Sequence, residues 1–175
     1  MSQKLLEVNH YSAEMQVDDG TLYIIQDVDF FVNENECFGI IGESGCGKTM
    51  TSMSILRYAE RLGLRPTGGE ILFQGENVLE FNKKRLQEYN GKEVVIILQD
   101  PMQALDPLYP VRNQMIETIR KHQKVSRKEA EKIMVETAKS LSIGEEKLKC
   151  YPHQLSGGML QRIAMSMILG MKPRY

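Results

Sequence analysis

Three glycines, a lysine and two hydroxyls fall within one eight-residue stretch, Gly42-Glu43-Ser44-Gly45-Cys46-Gly47-Lys48-Thr49. The spacing fits G-x-x-x-x-G-K-[ST], a loop whose backbone N–H groups turn inward around phosphate oxygens. Glycine lets the chain turn this tightly. Lys48 is placed to reach the β- and γ-phosphates of a nucleotide, and the Thr49 hydroxyl to ligate Mg²⁺. The surroundings agree with the motif. Cys37 to Ile41 reads as a short buried strand leading in. Met50 to Tyr58 reads as a helix leading out, whose N-terminus adds partial positive charge beneath the phosphates. The chemistry on offer is nucleotide binding.

Two further stretches carry polar residues at element ends. Val94-Val95-Ile96-Ile97-Leu98 reads as a strand buried on both faces, stopped at Gln99-Asp100-Pro101. Ligands of open α/β sheets lie outside the carboxyl ends of strands, which puts Gln99 beside the P-loop. Later, Leu155-Ser156-Gly157-Gly158-Met159-Leu160-Gln161-Arg162 opens an amphipathic helix with Leu160, Ile163, Ala164, Met167 and Ile168 on one face. Ser156 suits the N-cap, and Gly157 and Gly158 leave backbone N–H groups open at the helix start. This is a second anion-binding helix terminus.

The elements that must position these residues follow from pattern. Leu5 to Val8 opens as a strand, Asp18-Asp19-Gly20 marks a turn, and Thr21 to Val32 is a second strand, which together suggest an antiparallel layer. Gly63 to Gly69 reads as a loop. Glu70 to Phe73 and Val78-Leu79 form a hairpin around Gln74 to Asn77, and Asn82 to Asn90 a polar helix. From Val111 to Leu141 the period is helical. Ser126 with Glu129 makes a capping box, Ala130, Ile133, Met134, Thr137, Ala138 and Leu141 share one face, and Gly144 ends the helix. The cations Arg120, Lys121, Lys124, Arg127 and Lys128 read as a solvated flank.

Composition narrows the class. The chain has 175 residues, enough for one domain with a sizeable core. A net charge of -1 gives no electrostatic case for nucleic acid or an anionic membrane surface. Ile163 to Met171 is too short to span a bilayer, and Met1 to Lys4 lacks the apolar run of a secretory leader. Cys37, Cys46 and Cys150 are odd in number and widely spaced, against a disulfide framework or zinc site and in favour of the cytosol. Eleven methionines read as flexible core filler.

With these residues in order, the chain resembles the nucleotide-binding domain of an ABC transporter. Gly42 to Thr49 match its Walker A motif, Gln99 its Q-loop glutamine, and Leu155 to Arg162 its signature motif; the match runs from about Leu5 to Pro173. Leu98 to Met102, Leu105-Asp106-Pro107 and Tyr151 to Leu155 are similar to the peptide and nickel importer ATPases. Met159, where many relatives carry Gln, is similar to members serving metal or metallophore uptake, so peptide and metal both stay open.

The resemblance implies an α/β P-loop core with an N-terminal antiparallel layer, a helical insertion, and the C-terminal part of the core sheet absent. The expected parts are 1–37 strands, 38–58 P-loop strand and helix, 59–99 hairpin and Q-loop strand, 100–154 helical subdomain, and 155–175 signature helix. ATP would be held by Gly42, Glu43, Ser44, Gly45, Cys46, Gly47, Lys48, Thr49 and Met50, with Thr49 and Gln99 on Mg²⁺. Ser156, Gly157, Gly158 and Gln161 would face the γ-phosphate on a second ATPase subunit, in a homo- or heterodimer. Met15 stands where the family carries its adenine-stacking aromatic; Tyr11 or Tyr23 are the alternatives. Other implied partners are membrane permease subunits and, indirectly, an extracellular solute-binding protein, at the cytoplasmic face of the membrane and without nucleic acid. The family's Walker B Asp, catalytic Glu and switch His fall beyond Tyr175, so these residues alone are expected to bind ATP and hydrolyse it poorly. The reading is the N-terminal portion of an importer ATPase. A hydrolysis-deficient nucleotide-binding module and a non-transport ABC ATPase are the alternatives.

Overall fold

Strand pairing starts with two long, equal strands, β1 (Lys4–Val17) and β2 (Gly20–Asn33), joined antiparallel through a tight turn that opens at Val17 and Gly20. The computed structural model describes residues 3–174, and of Gln103 only the backbone. Met1 and Ser2, part of the segment read for a leader, and Tyr175 lie outside the described residues. The chain divides into two compact units, Met1–Gln87 and Glu88–Tyr175.

In the first unit β3 (Leu64–Phe73) and the short β4 (Glu76–Asn77) extend the sheet to the order β2-β1-β3-β4, antiparallel throughout. β1 buries Val8, Tyr11 and Ala13; a bulge between Val8 and Tyr11 shifts the alternation by one residue, so the tyrosine turns inward. Ile25, Leu64, Ile71, Phe73 and Val78 complete the buried set, with Ala59 from the turn Ala59–Leu62. Helix α1 (Lys48–Ile55) buries two hydroxyls rather than apolar groups. Thr51 Oγ1 donates to Gly47 O at 3.0 Å and Ser54 Oγ to Met50 O at 2.7 Å. Helix α2 (Lys83–Glu88) ends this part of the chain, where a polar helix is expected.

The second unit is built on α3 (Val111–Gln123), α4 (Arg127–Ser140) and α6 (Gly157–Met171), with a single turn, α5 (Glu145–Leu148), between the last two. Met115, Ile119, Met134, Leu148, Leu160 and Ile163 meet in its core. Ser126 accepts from the Glu129 N–H at 3.3 Å, which is the N-cap half of the expected capping box. The α4 face also matches: Ala130, Met134 and Ala138 are buried, and Ile133 and Leu141 pack against them. Gly170 lets α6 approach α3, since a Cβ there would lie 2.9 Å from the Ile119 side chain.

Five expectations need correction. The return strand of the hairpin is Glu76–Asn77, which pairs with Phe73 and Leu72, while Val78-Leu79, expected as that strand, lies in the helical turn Val78–Glu80 that Asn77 caps. Cys37 to Ile41 is irregular and exposed, with Ile41 97 % accessible and Phe38 stacked on Phe30 at 5.1 Å. Val94 to Leu98 is likewise irregular, tied by one isolated bridge between Asn90 and Val94. Both runs have strand composition, but a strand exists only where a neighbour accepts its backbone hydrogen bonds, and no described strand pairs with either. Gly63 to Gly69, expected as a loop, is mostly strand: β3 begins at Leu64 because β1 pairs with it through Met15 and Leu64. Gly144 does not end α4, which stops at Ser140; it caps α5.

Candidate functional site

The phosphate-loop residues come together in the first unit. α1 starts at Lys48 with Gly47 as its cap in left-handed geometry, φ 90° and ψ -2°, and no side chain caps it. The first-turn N–H groups, Lys48, Thr49 and Met50, are those that a helix leaves without an internal partner. Gly47 is required twice. Its φ suits glycine, and a Cβ there would stand 2.8 Å from the carbonyl oxygen of Ile24 on β2.

Lys48 folds back over the loop. Its Nζ donates to Gly42 O at 2.9 Å and to Glu43 O, and lies 3.5 Å from Cys46 Sγ. An ammonium has three donors, and sulfur is a weak acceptor. Two carbonyls therefore fix the cation, and the third N–H is the one an anion would take from the thiol. A Cβ on Gly42 would lie 2.7 Å from Cys46 Sγ, so a side chain there would fill the inside of the loop. Uncapped N–H groups, a tethered ammonium and a cradle that only glycine leaves open fit a phosphate chain. Thr49 is exposed at the helix start, where its hydroxyl fits a phosphate-bound Mg²⁺. Glu43, Ser44, Gly45 and Cys46 are exposed around it, and Met50 is half-buried.

The three base-stacking candidates separate. Tyr11 is excluded: it is 1 % accessible, and burial chiefly raises its pKa, with Ser54 bonded to its hydroxyl. The bulge that turned it inward could not be read from composition. Met15 is half-buried on β1. Tyr23 is 64 % accessible and directly precedes Ile24, whose carbonyl Gly47 packs against.

The second unit holds the other candidates. Gln99 is exposed at the end of the irregular Val94 to Leu98 segment, beside Asp100, whose Oδ1 caps the turn Pro101–Ala104 through the Met102 N–H at 3.0 Å. At the start of α6, Ser156 Oγ accepts from the Met159 N–H at 3.4 Å, and Ser156, Gly157, Gly158 and Gln161 are all exposed. Neither glycine has positive φ, and a Cβ on either would meet nothing within 4 Å. The fold within these residues does not require them to be glycine.

One feature gave no sequence signal. Gln114 accepts from the Asp106 N–H and donates to Asp106 O and Tyr109 O, each at 2.8 Å, pinning the turn before α3. This turn borders a hollow of about 270 Å³ lined by Asp106, Tyr109, Gln114, Glu117 and Met167 among others. Leu108, 77 % accessible, and Tyr109 are exposed beside it. No helix among the described residues is long and apolar enough to cross a membrane.

Comparison with known proteins identifies the family. The family model described as ABC transporter matches residues 25–175. A probable peptide ABC transporter ATP-binding protein of Sinorhizobium fredii is 37 % identical over 171 residues, 97 % of this chain and 51 % of the relative. The metal-staphylopine import system ATP-binding protein of Staphylococcus aureus is 39 % identical over 173 residues, 97 % of this chain and 62 % of the relative. The dipeptide transport ATP-binding protein of Bacillus subtilis is 36 % identical over 173 residues, 98 % of this chain and 52 % of the relative. The chain thus spans about half to three-fifths of the length of these relatives. Among solved structures, the dimeric bacterial ABC transporter cassette MJ0796 superposes with a TM-score of 0.79 at 24 % identity, covering 96 % of this chain and 70 % of the cassette. The same cassette is known as a dimer bound to ADP and Pi.

Proposed function

The chain belongs to the ABC transporter family, and on that premise we propose that its residues form the nucleotide-binding part of an ATP-binding subunit that powers import of peptides or metal chelates. The observation that carries this reading is the Lys48 ammonium, held by the Gly42 and Glu43 carbonyls beside the uncapped first turn of α1.

In this reading Lys48 and the N–H groups of the loop and first turn hold the phosphates, and Thr49 and Gln99 hold Mg²⁺. The metal, when bound, neutralises phosphate charge and fixes its orientation. Tyr23 is the ring that stacks on the base, because it alone of the three candidates is both aromatic and open. Ser156, Gly157, Gly158 and Gln161 serve a partner subunit's nucleotide; bare glycines at a helix start let a phosphate approach the backbone closely. Splitting the donors between two chains couples chemistry to closure, since positioning and charge stabilisation do most of the work in phosphoryl transfer. The exposed Leu108 and Tyr109 beside the hollow are where a permease subunit docks, at the cytoplasmic face of the membrane. Names of the relatives favour peptide or metal-chelate import without separating the two.

The 175 residues alone bind ATP without appreciable turnover, because the carboxylate pair that the family resemblance places beyond Tyr175 is not among them. Titration of a fluorescent ATP analogue should saturate, depend on Mg²⁺ and be displaced by ATP and ADP, with phosphate release near background. Absence of saturable binding at millimolar nucleotide would contradict the proposal, and so would turnover like that of a complete cassette.

A further inference from the structure

His10, Asp27 and Asp29 converge on the surface of the first unit, away from the phosphate loop in sequence and unused by the function above. Successive irregularities in the pairing of β1 and β2 bring them together. Val8 faces Phe30 and Tyr11 faces Val28, so Asn9 and His10 stand opposite Asp29 alone. Tyr11 and Ala13 then face Val28 and Ile25, so Ser12 stands opposite Gln26 and Asp27 together. Of these two bulges, one lies on each strand. Their extra residues take left-handed backbone, φ 49° at His10 and 48° at Asp27. Bulges re-aim side chains, and here they bring an imidazole and two carboxylates to one point.

Nδ1 of His10 lies 2.9 Å from Asp27 Oδ1 and 3.3 Å from Asp29 Oδ2. The other Asp29 oxygen accepts the His10 backbone N–H at 2.9 Å, which holds that carboxylate facing the ring. Ser12 Oγ accepts the Asp27 N–H at 2.9 Å and steadies the second bulge. One Nδ1–H can serve one acceptor well, yet two carboxylate oxygens converge on it. Ligands bound at about 2.1 Å stand about 3.0 Å apart at right angles and about 3.4 Å apart in a tetrahedron. The 2.9 and 3.3 Å separations from Nδ1 are of that size, and the three ligand atoms all lie within 4.8 Å of one another.

We propose that His10, Asp27 and Asp29 form a surface site for a divalent cation of the zinc type, with Nδ1 of His10 and one oxygen from each carboxylate as ligands and water completing the shell. The donor set decides the class. Imidazole with carboxylate suits Zn²⁺ and its borderline neighbours, whereas Mg²⁺ and Ca²⁺ prefer oxygen alone. A bound ion would link β1 to β2 at the level of their bulges.

The test uses the full chain in chelator-treated buffer, with Zn²⁺ as the only added metal. Calorimetry should show one saturable site. In NMR titration the ring signals of His10 should move to saturation while those of His122 and His153 stay. His10→Asn and Asp27→Asn should each weaken binding at least tenfold. Asparagine tolerates left-handed φ, so both variants should keep the native circular dichroism. Cys46→Ser should leave the affinity unchanged, which excludes a thiol site. Lys48→Ala should do the same, which keeps the result independent of the nucleotide reading. Undiminished Zn²⁺ affinity in His10→Asn, or loss of it in Cys46→Ser, would overturn the proposal.

Discussion

Replacing Gly157 and Gly158 by alanine should make the protein more stable. Both stand in the first turn of α6, neither has positive φ, and an added Cβ would meet nothing within 4 Å at either site. Glycine costs about 1 kcal/mol relative to alanine in a helix interior. We take about half of that for first-turn positions, or about 1 kcal/mol for the double variant. For a chain of this size that raises Tm by about 2–4 °C. Gly170 provides a control on the same helix. Its Cβ would meet Ile119 at 2.9 Å, so the propensity gain is opposed by overpacking of about 1–3 kcal/mol, and Gly170→Ala should lower Tm. Thermal melts followed at 222 nm read all three proteins. The stabilised double variant should also lose ATP-dependent association with a second cassette subunit, measured by sedimentation velocity. A fall in Tm for Gly157→Ala/Gly158→Ala would refute the reasoning, because it would show that the glycines serve the fold.

Gly47→Ala should do the opposite. Left-handed φ strain costs about 1–2 kcal/mol, and the Cβ would press on the backbone carbonyl of Ile24, which cannot rotate away; urea unfolding should show a loss of about 2 kcal/mol or more. Cys46, exposed and 3.5 Å from Lys48 Nζ, should be protected from alkylation by Mg·ATP, while exposed Cys37 provides the unprotected reference in the same mass spectrum. His122 should give a pH signature. Burial chiefly, with Lys121 and Lys92, lowers its pKa below 6.5. The folded state therefore resists a proton that the unfolded state accepts. The contribution of His122 is complete above pH 6.5 and is lost as pH falls through the lowered value. Urea midpoints at pH 7 and pH 5 should differ less in His122→Gln than in the wild type.

What could be read from sequence was local. The glycine turn with helix α1 after it, the Ser126 and Ser156 N-caps, the α4 face and the polar helix α2 depend on residues within a turn or two of one another, and each of these local elements appears where expected. Misreadings fell where a distant partner decides. Val94 to Leu98 and Cys37 to Ile41 have the β-branched or apolar composition of strands, yet composition supplies no hydrogen-bonding neighbour. Arg65-Pro66-Thr67-Gly68-Gly69 has loop composition, yet most of it pairs with β1. Tyr11 illustrates a finer limit. Regular alternation with Val8 would turn the ring away from the core, and the bulge at His10 turns it inward, leaving Tyr23 as the open aromatic. The role of Gln114 was out of reach because its partners are backbone groups of a turn with no motif.

If Lys48, tethered by Gly42 and Glu43, makes this loop a phosphate site, removing its ammonium must show in ATP affinity. Calorimetric titration of the wild type and Lys48→Ala with Mg·ATP, at matched circular dichroism, tests it directly. Removal of a charge-assisted contact should weaken binding at least tenfold, about 1.4 kcal/mol or more. Equal ATP affinity in the two proteins would contradict it.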